Sequence, residues 1–170
     1  EGSVATDGGA VGYAFQENRL LPWRSVRENI ELVNPQASDA DVSRIIASVG
    51  LRGFEDYPPV RLSGGMAKRC ALALAFNFPS TTLLMDEPFS GLDYSLRMEM
   101  AELLLSMWRE QRHAVLFVTH EIDEALMLAT RIVVLSDRPS SIVRTFALPG
   151  AEGRDPADAA LATIRRQIVS

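Results

Sequence analysis

Two periods of apolar and polar residues run along this chain, and the points where one gives way to the other mark its elements. From Ser38 to Val49 the residues Val42, Ile45, Ile46 and Val49 recur at three- and four-residue spacing, the period of a helix with one buried face. Ser38, with Asp41 three residues on, supplies an N-cap, and Gly50 stops the helix. A shorter helix is predicted from Ser25 to about Leu32. Another is predicted over Ala67–Phe76, capped by Ser63, after the break at Pro58-Pro59. A long helix is expected over Tyr94–Arg112, with Leu96, Met100, Leu103, Leu104 and Met107 along one side as core packing. Helices over Glu121–Ala129 and roughly Pro156–Val169 complete the set.

Between the helices lie short, unbroken apolar runs that read as strands. Two short extended pieces flank a turn at Gly8-Gly9, and Val11–Phe15 leads into Gln16. Leu83, Leu84 and Met85 suit a strand covered on both faces, and the chain then meets Asp86, Glu87 and Pro88. Ala114–Thr119 is expected as a second buried strand ending at His120, Arg131–Ser136 as a third apolar strand, and Ser141–Leu148 as an edge strand. A Gly/Pro/Asp stretch from Gly150 leads to the last helix.

Length and composition narrow the class. At 170 residues, 47% hydrophobic and 23% charged, the chain suits one globular, soluble domain with a real core. A net charge of −5 argues against a broad nucleic-acid surface. No apolar run approaches the roughly 20 residues that cross a bilayer. The single cysteine, Cys70, cannot form an internal disulfide, which fits a reducing compartment. The opening Glu1-Gly2-Ser3 lacks the basic start of a signal peptide, and the missing initiator methionine suggests an excised piece.

Candidate chemistry collects where buried parallel strands end, because such sheets bind ligands at their carboxyl edge. Asp86 and Glu87 fall there. Neighbours on an extended chain point opposite ways, so one carboxylate could face a hard cation while the other positions a water for attack on a phosphate. Pro88 is expected to keep Glu87 extended. A solvated, idle strand-end turn fits the same residues equally well. His120 is expected on the same edge, either as a structural histidine or as a partner to the two carboxylates. Ser63-Gly64-Gly65 opens a helix whose free N–H groups suit an anion, or simply caps it. Leu20–Trp23 reads either as a tucked-in loop or as a docking patch.

Taken together, Gln16, Leu62-Ser63-Gly64-Gly65, Leu83–Pro88, Ser90–Asp93 and His120 resemble the nucleotide-binding subunits of ABC transporters. Ser63 precedes Asp86 by 23 residues and His120 follows it by 34, in the family's order. Gln16–Trp23, Met66 and Leu135-Ser136-Asp137-Arg138-Pro139 are similar to the branch serving nitrate, sulfonate, taurine and pyrimidine-type importers. The resemblance implies an α/β fold, a partial P-loop NTPase core whose parallel sheet is flanked by helices, with a small helical subdomain. It divides the chain into a helical part over 17–79, the core sheet over 80–149 and a C-terminal helix over 150–170. It implies ATP and Mg²⁺ as cofactors. Gln16 and Asp86 would serve the metal, Glu87 would be the general base, and His120 would contact the γ-phosphate. Ser63, Gly64 and Gly65 would close on the nucleotide of a second ATPase subunit, and Asp93 would lie in the loop crossing that dimer. Leu20–Trp23 would dock on a membrane permease, from the cytoplasmic, inner face of the membrane.

The departures from the family pattern matter as well. Gly8, Gly9 and Gly12 have no lysine after them, so Gly-x-x-x-x-Gly-Lys-Ser/Thr is absent, as is the adenine-stacking aromatic. Ala67 and Leu74 stand where the family often has arginine. The expectation is an N-terminally truncated, inactive chain that associates into dimers. The alternative is a non-catalytic remnant acting as an interaction module. A DNA-repair ATPase of the same superfamily is a more distant reading, since no heptad run is present.

Overall fold

The computed structural model describes residues 8–148, 154, 155 and 158–169. The first extended piece expected before Gly8 and most of the stretch expected from Gly150 lie outside these residues. The described elements follow in the order β1 (Val11–Ala14), α1 (Val26–Val33), α2 (Asp39–Ser48), α3 (Gly64–Asn77) and β2 (Thr82–Asp86). Then come α4 (Tyr94–Glu110), β3 (Ala114–Val118), α5 (Ile122–Leu128), β4 (Arg131–Leu135), β5 (Ile142–Ala147) and α6 (Ala159–Val169).

Four of the described helices, α1 to α4, begin where a side-chain oxygen takes up a backbone N–H left free by the first turn. Ser25 and Glu28 form a reciprocal capping box on α1, and Ser38 and Asp41 form another on α2. Ser63 accepts the N–H of Met66 at 3.3 Å and so starts α3 at Gly64, three residues before the expected start.

A parallel sheet in the order β1-β2-β3 results. Tyr13 stands opposite Leu84, and Asp86 opposite Val118. This register brings the ends of all three strands to one edge and sets Gln16, Asp86, Glu87 and His120 there. The core lies on one side of this sheet. Leu83 and Met85 point into it and meet Phe76, Phe89, Met100 and Leu104, all buried. Helix α3 crosses this core and is apolar on most sides, burying Cys70, Leu72, Ala73, Ala75 and Phe76. Burial pushes the Cys70 thiol up to about 12, so the sulfur stays protonated and inert.

The second strand expected as buried is not. Val115, Leu116 and Val118 of β3 are exposed, Leu116 at 61%, and only Phe117 is half-buried. The apolar run reports a strand, but burial depends on neighbours, and β3 pairs with β2 alone among the described residues. The strand Arg131–Leu135 also joins a different sheet from Asp86. It pairs antiparallel with β5 over a small separate core of Leu126, Ile132, Leu148 and Leu161.

Candidate functional site

At the carboxyl edge the backbone makes one unusual move. Glu87 sits at φ +43°, in the left-handed region that non-glycine residues rarely adopt. The extended geometry expected from Pro88 does not hold, for a traceable reason. The N–H of Glu87 still bonds to Val118 O on β3, at 2.9 Å, while its carbonyl already accepts the N–H of Ser90 at 3.0 Å. Meeting both demands requires a sharp turn at this residue, and proline next in the chain disfavours the right-handed one. Such a conformation costs on the order of 1–3 kcal/mol and persists where its surroundings over-determine it.

The turn places the Glu87 carboxylate between two strand ends. Its Oε1 lies 2.9 Å from Nδ1 of His120, and its Oε2 lies 3.5 Å from Nε2 of Gln16. A carboxylate only accepts, so Nδ1 of His120 carries the proton in this contact. Asp86 diverges from Glu87 and is exposed, with Tyr13 donating to its Oδ2 at 3.4 Å. Lys68, half-buried, reaches across from α3 and donates to the carbonyl of Gln16 at 2.6 Å; desolvation lowers its pKa.

Behind His120 a cavity of about 90 Å³ is lined by Glu87, Arg97, Thr119, Glu121 and Glu124, among others. Arg97 pairs with Glu121, and Thr119 donates to Glu124 Oε2 at 2.7 Å while accepting the N–H of Glu121 at 3.0 Å. These bonds shape the turn that carries His120. Glu124 is only 2% exposed, and burial pushes its pKa above the ordinary 4.5, against the smaller opposing effects of Thr119, Arg97 and His120.

Above pH 4.5 the folded state therefore holds this proton more tightly than the unfolded chain does, and the contribution of Glu124 to stability falls as pH rises through the raised value. Glu124→Gln keeps an acceptor for Thr119 and removes that loss. The variant is expected to unfold at higher urea than the parent at pH 7, with the gap closing at about pH 4. Equal midpoints at pH 7 would show that burial does not control this group.

The other expected residues are close by in sequence terms but do not join the cluster. Ser63 and Gly64 are exposed at the start of α3, and a Cβ on Gly64 would meet nothing within 4 Å. Gly65 packs under Leu96, whose Cδ2 would lie 3.0 Å from an added Cβ, so α4 crosses α3 closely at this point. Asp93 caps α4, accepting the N–H of Leu96 at 3.0 Å. Among the described residues no side-chain hydrogen bond links Ser63 or Asp93 to Gln16, Glu87 or His120. Leu20–Trp23 divides between both earlier readings: Leu20 packs on the core, while Trp23 is 75% exposed.

Tyr13, Arg97 and Glu124 escaped the sequence reading. Nothing in their local pattern separates them from ordinary strand or helix positions. Lys68 reads in the sequence only as a positive charge soon after Ser63-Gly64-Gly65.

A parallel sheet with two carboxylates, an amide and an imidazole along its carboxyl edge, beside a Ser-Gly-Gly helix start, defines an α/β protein of partial P-loop NTPase type. The family model described as ABC transporter matches residues 3–90. An aliphatic sulfonates import ATP-binding protein, SsuB 1, of Pseudomonas savastanoi pv. phaseolicola is 41% identical over 172 residues, covering 99% of this chain and 72% of the relative. A second, SsuB 2 of Burkholderia cenocepacia, is 38% identical over 177 residues, covering 99% and 66%. A putative ATP-binding protein of Brucella abortus is 41% identical over 145 residues, covering 82% and 56%. The chain belongs to the ABC transporter family.

Proposed function

We propose that this chain is part of the ATP-binding subunit of an ABC importer that energises uptake of a small solute, with organic sulfonates as the favoured class. The observation that carries the reading is the contact of Glu87 with His120 beside Asp86 and Gln16 on one sheet edge. The names of the two sulfonate-import relatives support the solute class.

In this reading Asp86 and Gln16 would hold Mg²⁺. Both offer oxygen, as this cation demands, and Asp86 is exposed with a single long hydrogen bond, which leaves its lone pairs free. When bound, Mg²⁺ neutralises phosphate charge. Glu87 would orient a water and take its proton, and His120, which holds Glu87 in place through Nδ1, would contact the γ-phosphate. Ser63, Gly64 and Gly65 serve the nucleotide of a second subunit, and Asp93 shapes the loop at that interface. Residues 17–79 act as a helical unit and those from 80 as the sheet unit, with α6 (Ala159–Val169) as a terminal helix. Leu20–Trp23 docks on a membrane permease. The chain's place in this reading is peripheral, on the inner face of the membrane, and among the described residues no helix is long and apolar enough to cross one.

The metal end of the site fits ATP·Mg²⁺, but the triphosphate end does not. No Gly-Lys-Ser/Thr loop occurs in these 170 residues, so most of the phosphate charge has no partner. The purified polypeptide is expected to bind ATP·Mg²⁺ more weakly than about 1 mM and to release no phosphate. Titration with labelled nucleotide checks this, and micromolar binding with steady turnover would overturn it. Ser63 and Gly64, exposed at the start of α3, also fit a second reading, a non-catalytic module that lends Ser63-Gly64-Gly65 to a complete partner. Stimulation of that partner's ATPase by this chain, lost in Ser63→Arg, distinguishes the two.

A further inference from the structure

Asn29 is a polar residue buried to 1% exposure in the middle of α1, where an apolar residue would be expected. Its side chain makes no contact with solvent or with a charge. It is given over instead to the loop that precedes the helix. Oδ1 accepts the N–H of Leu21 at 2.8 Å. Nδ2 donates to the carbonyls of Leu21 and Arg24, each at 3.2 Å, and of Ser25 at 2.9 Å. One amide thus holds both backbone groups of Leu21, as a neighbouring strand would, and closes the loop onto the helix.

Two further features act on the same segment. Arg19 sits at φ +48°, a strained conformation for a residue with a Cβ, and its guanidinium lies 4.9 Å from the centre of the Phe15 ring. At the other end, the Ser25–Glu28 capping box fixes the entry into α1, and Val26 and Arg27 donate to the carbonyls of Tyr57 and Glu55. The segment is therefore tied at both ends and in the middle. Its large apolar side chain left outside is Trp23, 75% exposed, next to exposed Pro22.

We propose that Asn29 is a positioning residue: its buried amide pre-forms the Leu21–Ser25 loop so that Trp23 is presented in a single orientation to the permease. An indole held this way loses little freedom on docking, which is the cost that most weakens binding through loops. Trp is also the residue type most often found carrying the binding energy of an interface. The inference rests on the docking reading for its purpose, but not for its test. Aspartate keeps an acceptor for the N–H of Leu21 but aims its other oxygen at the three carbonyls that Nδ2 serves, and leucine would leave the N–H of Leu21 buried without a partner.

The test is amide hydrogen exchange by NMR on the 170-residue chain, parent against Asn29→Ala and Asn29→Asp. In Asn29→Ala the N–H of Leu21 is expected to exchange at least about tenfold faster relative to the core amides of Ile46 and Phe76. In Asn29→Asp, Leu21 keeps an acceptor while the three carbonyls lose their donor, and the gain should fall on the mobility of Trp23, read by fluorescence anisotropy with Trp108→Phe as background. A purely structural role would speed Leu21 and the core amides by one common factor and leave Trp23 anisotropy unchanged, and that result overturns the proposal in either variant. Trp23→Ala separates the two claims. If the permease binds that variant as well as the parent, docking through Trp23 fails while the Asn29 clamp stands.

Discussion

In a polypeptide that also carries a phosphate-binding loop, Glu87→Gln is expected to lower ATP turnover by about 10²–10⁴-fold while nucleotide binding stays within about twofold. The substitution is nearly isosteric. Its amide oxygen can still accept from Nδ1 of His120, so the 2.9 Å contact and the turn at Glu87 should survive. What the amide cannot do is take a proton from water or supply the negative charge that orients it. Loss of turnover with binding preserved therefore separates the chemical role of Glu87 from its structural one. Single-turnover phosphate release, measured beside equilibrium nucleotide binding, reads both quantities. Turnover close to that of the parent would remove Glu87 from the role of base. A parallel loss of binding would point instead to a misplaced edge.

Phe89→Ala is expected to cost about 3–5 kcal/mol of stability, the range for deleting a buried aromatic ring from a packed core. Phe89 is 1% exposed and lies directly after the Glu87-Pro88 turn, with its ring 5.6 Å from that of Phe117 on β3. Small domains hold only about 5–15 kcal/mol in all, so this single change should bring the chain near its unfolding threshold. β3 has little other burial, since Val115, Leu116 and Val118 are exposed, and Phe117 is its main apolar tie to the core. Urea unfolding at pH 7 measures the loss, and Phe89→Met, which conserves more volume, should cost less. A loss below about 1 kcal/mol would show that the strand ends are held by backbone bonding alone.

Much of this architecture was open to reading in advance. Helix α2 follows from Val42, Ile45 and Ile46 at helical spacing between Ser38 and Gly50. The start of α3 follows from Ser63, whose hydroxyl takes the free N–H of Met66. The gathering of Asp86, Glu87 and His120 follows from strands that run parallel and end in polar residues. The family pattern across Gln16, Ser63 and Asp93 was equally visible.

Several features had no local sign. A glutamate on a short helix looks solvated, yet Glu124 is buried. An asparagine inside a helix looks like a weak propensity choice, yet Asn29 holds four backbone groups. The left-handed turn at Glu87 arises because β3 claims its N–H while Ser90 claims its carbonyl, two demands that meet only once the strands are paired.

Caps, periods and turn residues act within a dozen positions, so the order of the elements and the residue types at the strand ends were already specified by the chain's local chemistry. Burial, backbone strain and the partner of each polar atom depend on segments far away in the chain. Ala114–Val118 is more apolar than Thr82–Asp86, yet in the packed molecule it is Thr82–Asp86 that lies against the core while Ala114–Val118 stands largely exposed.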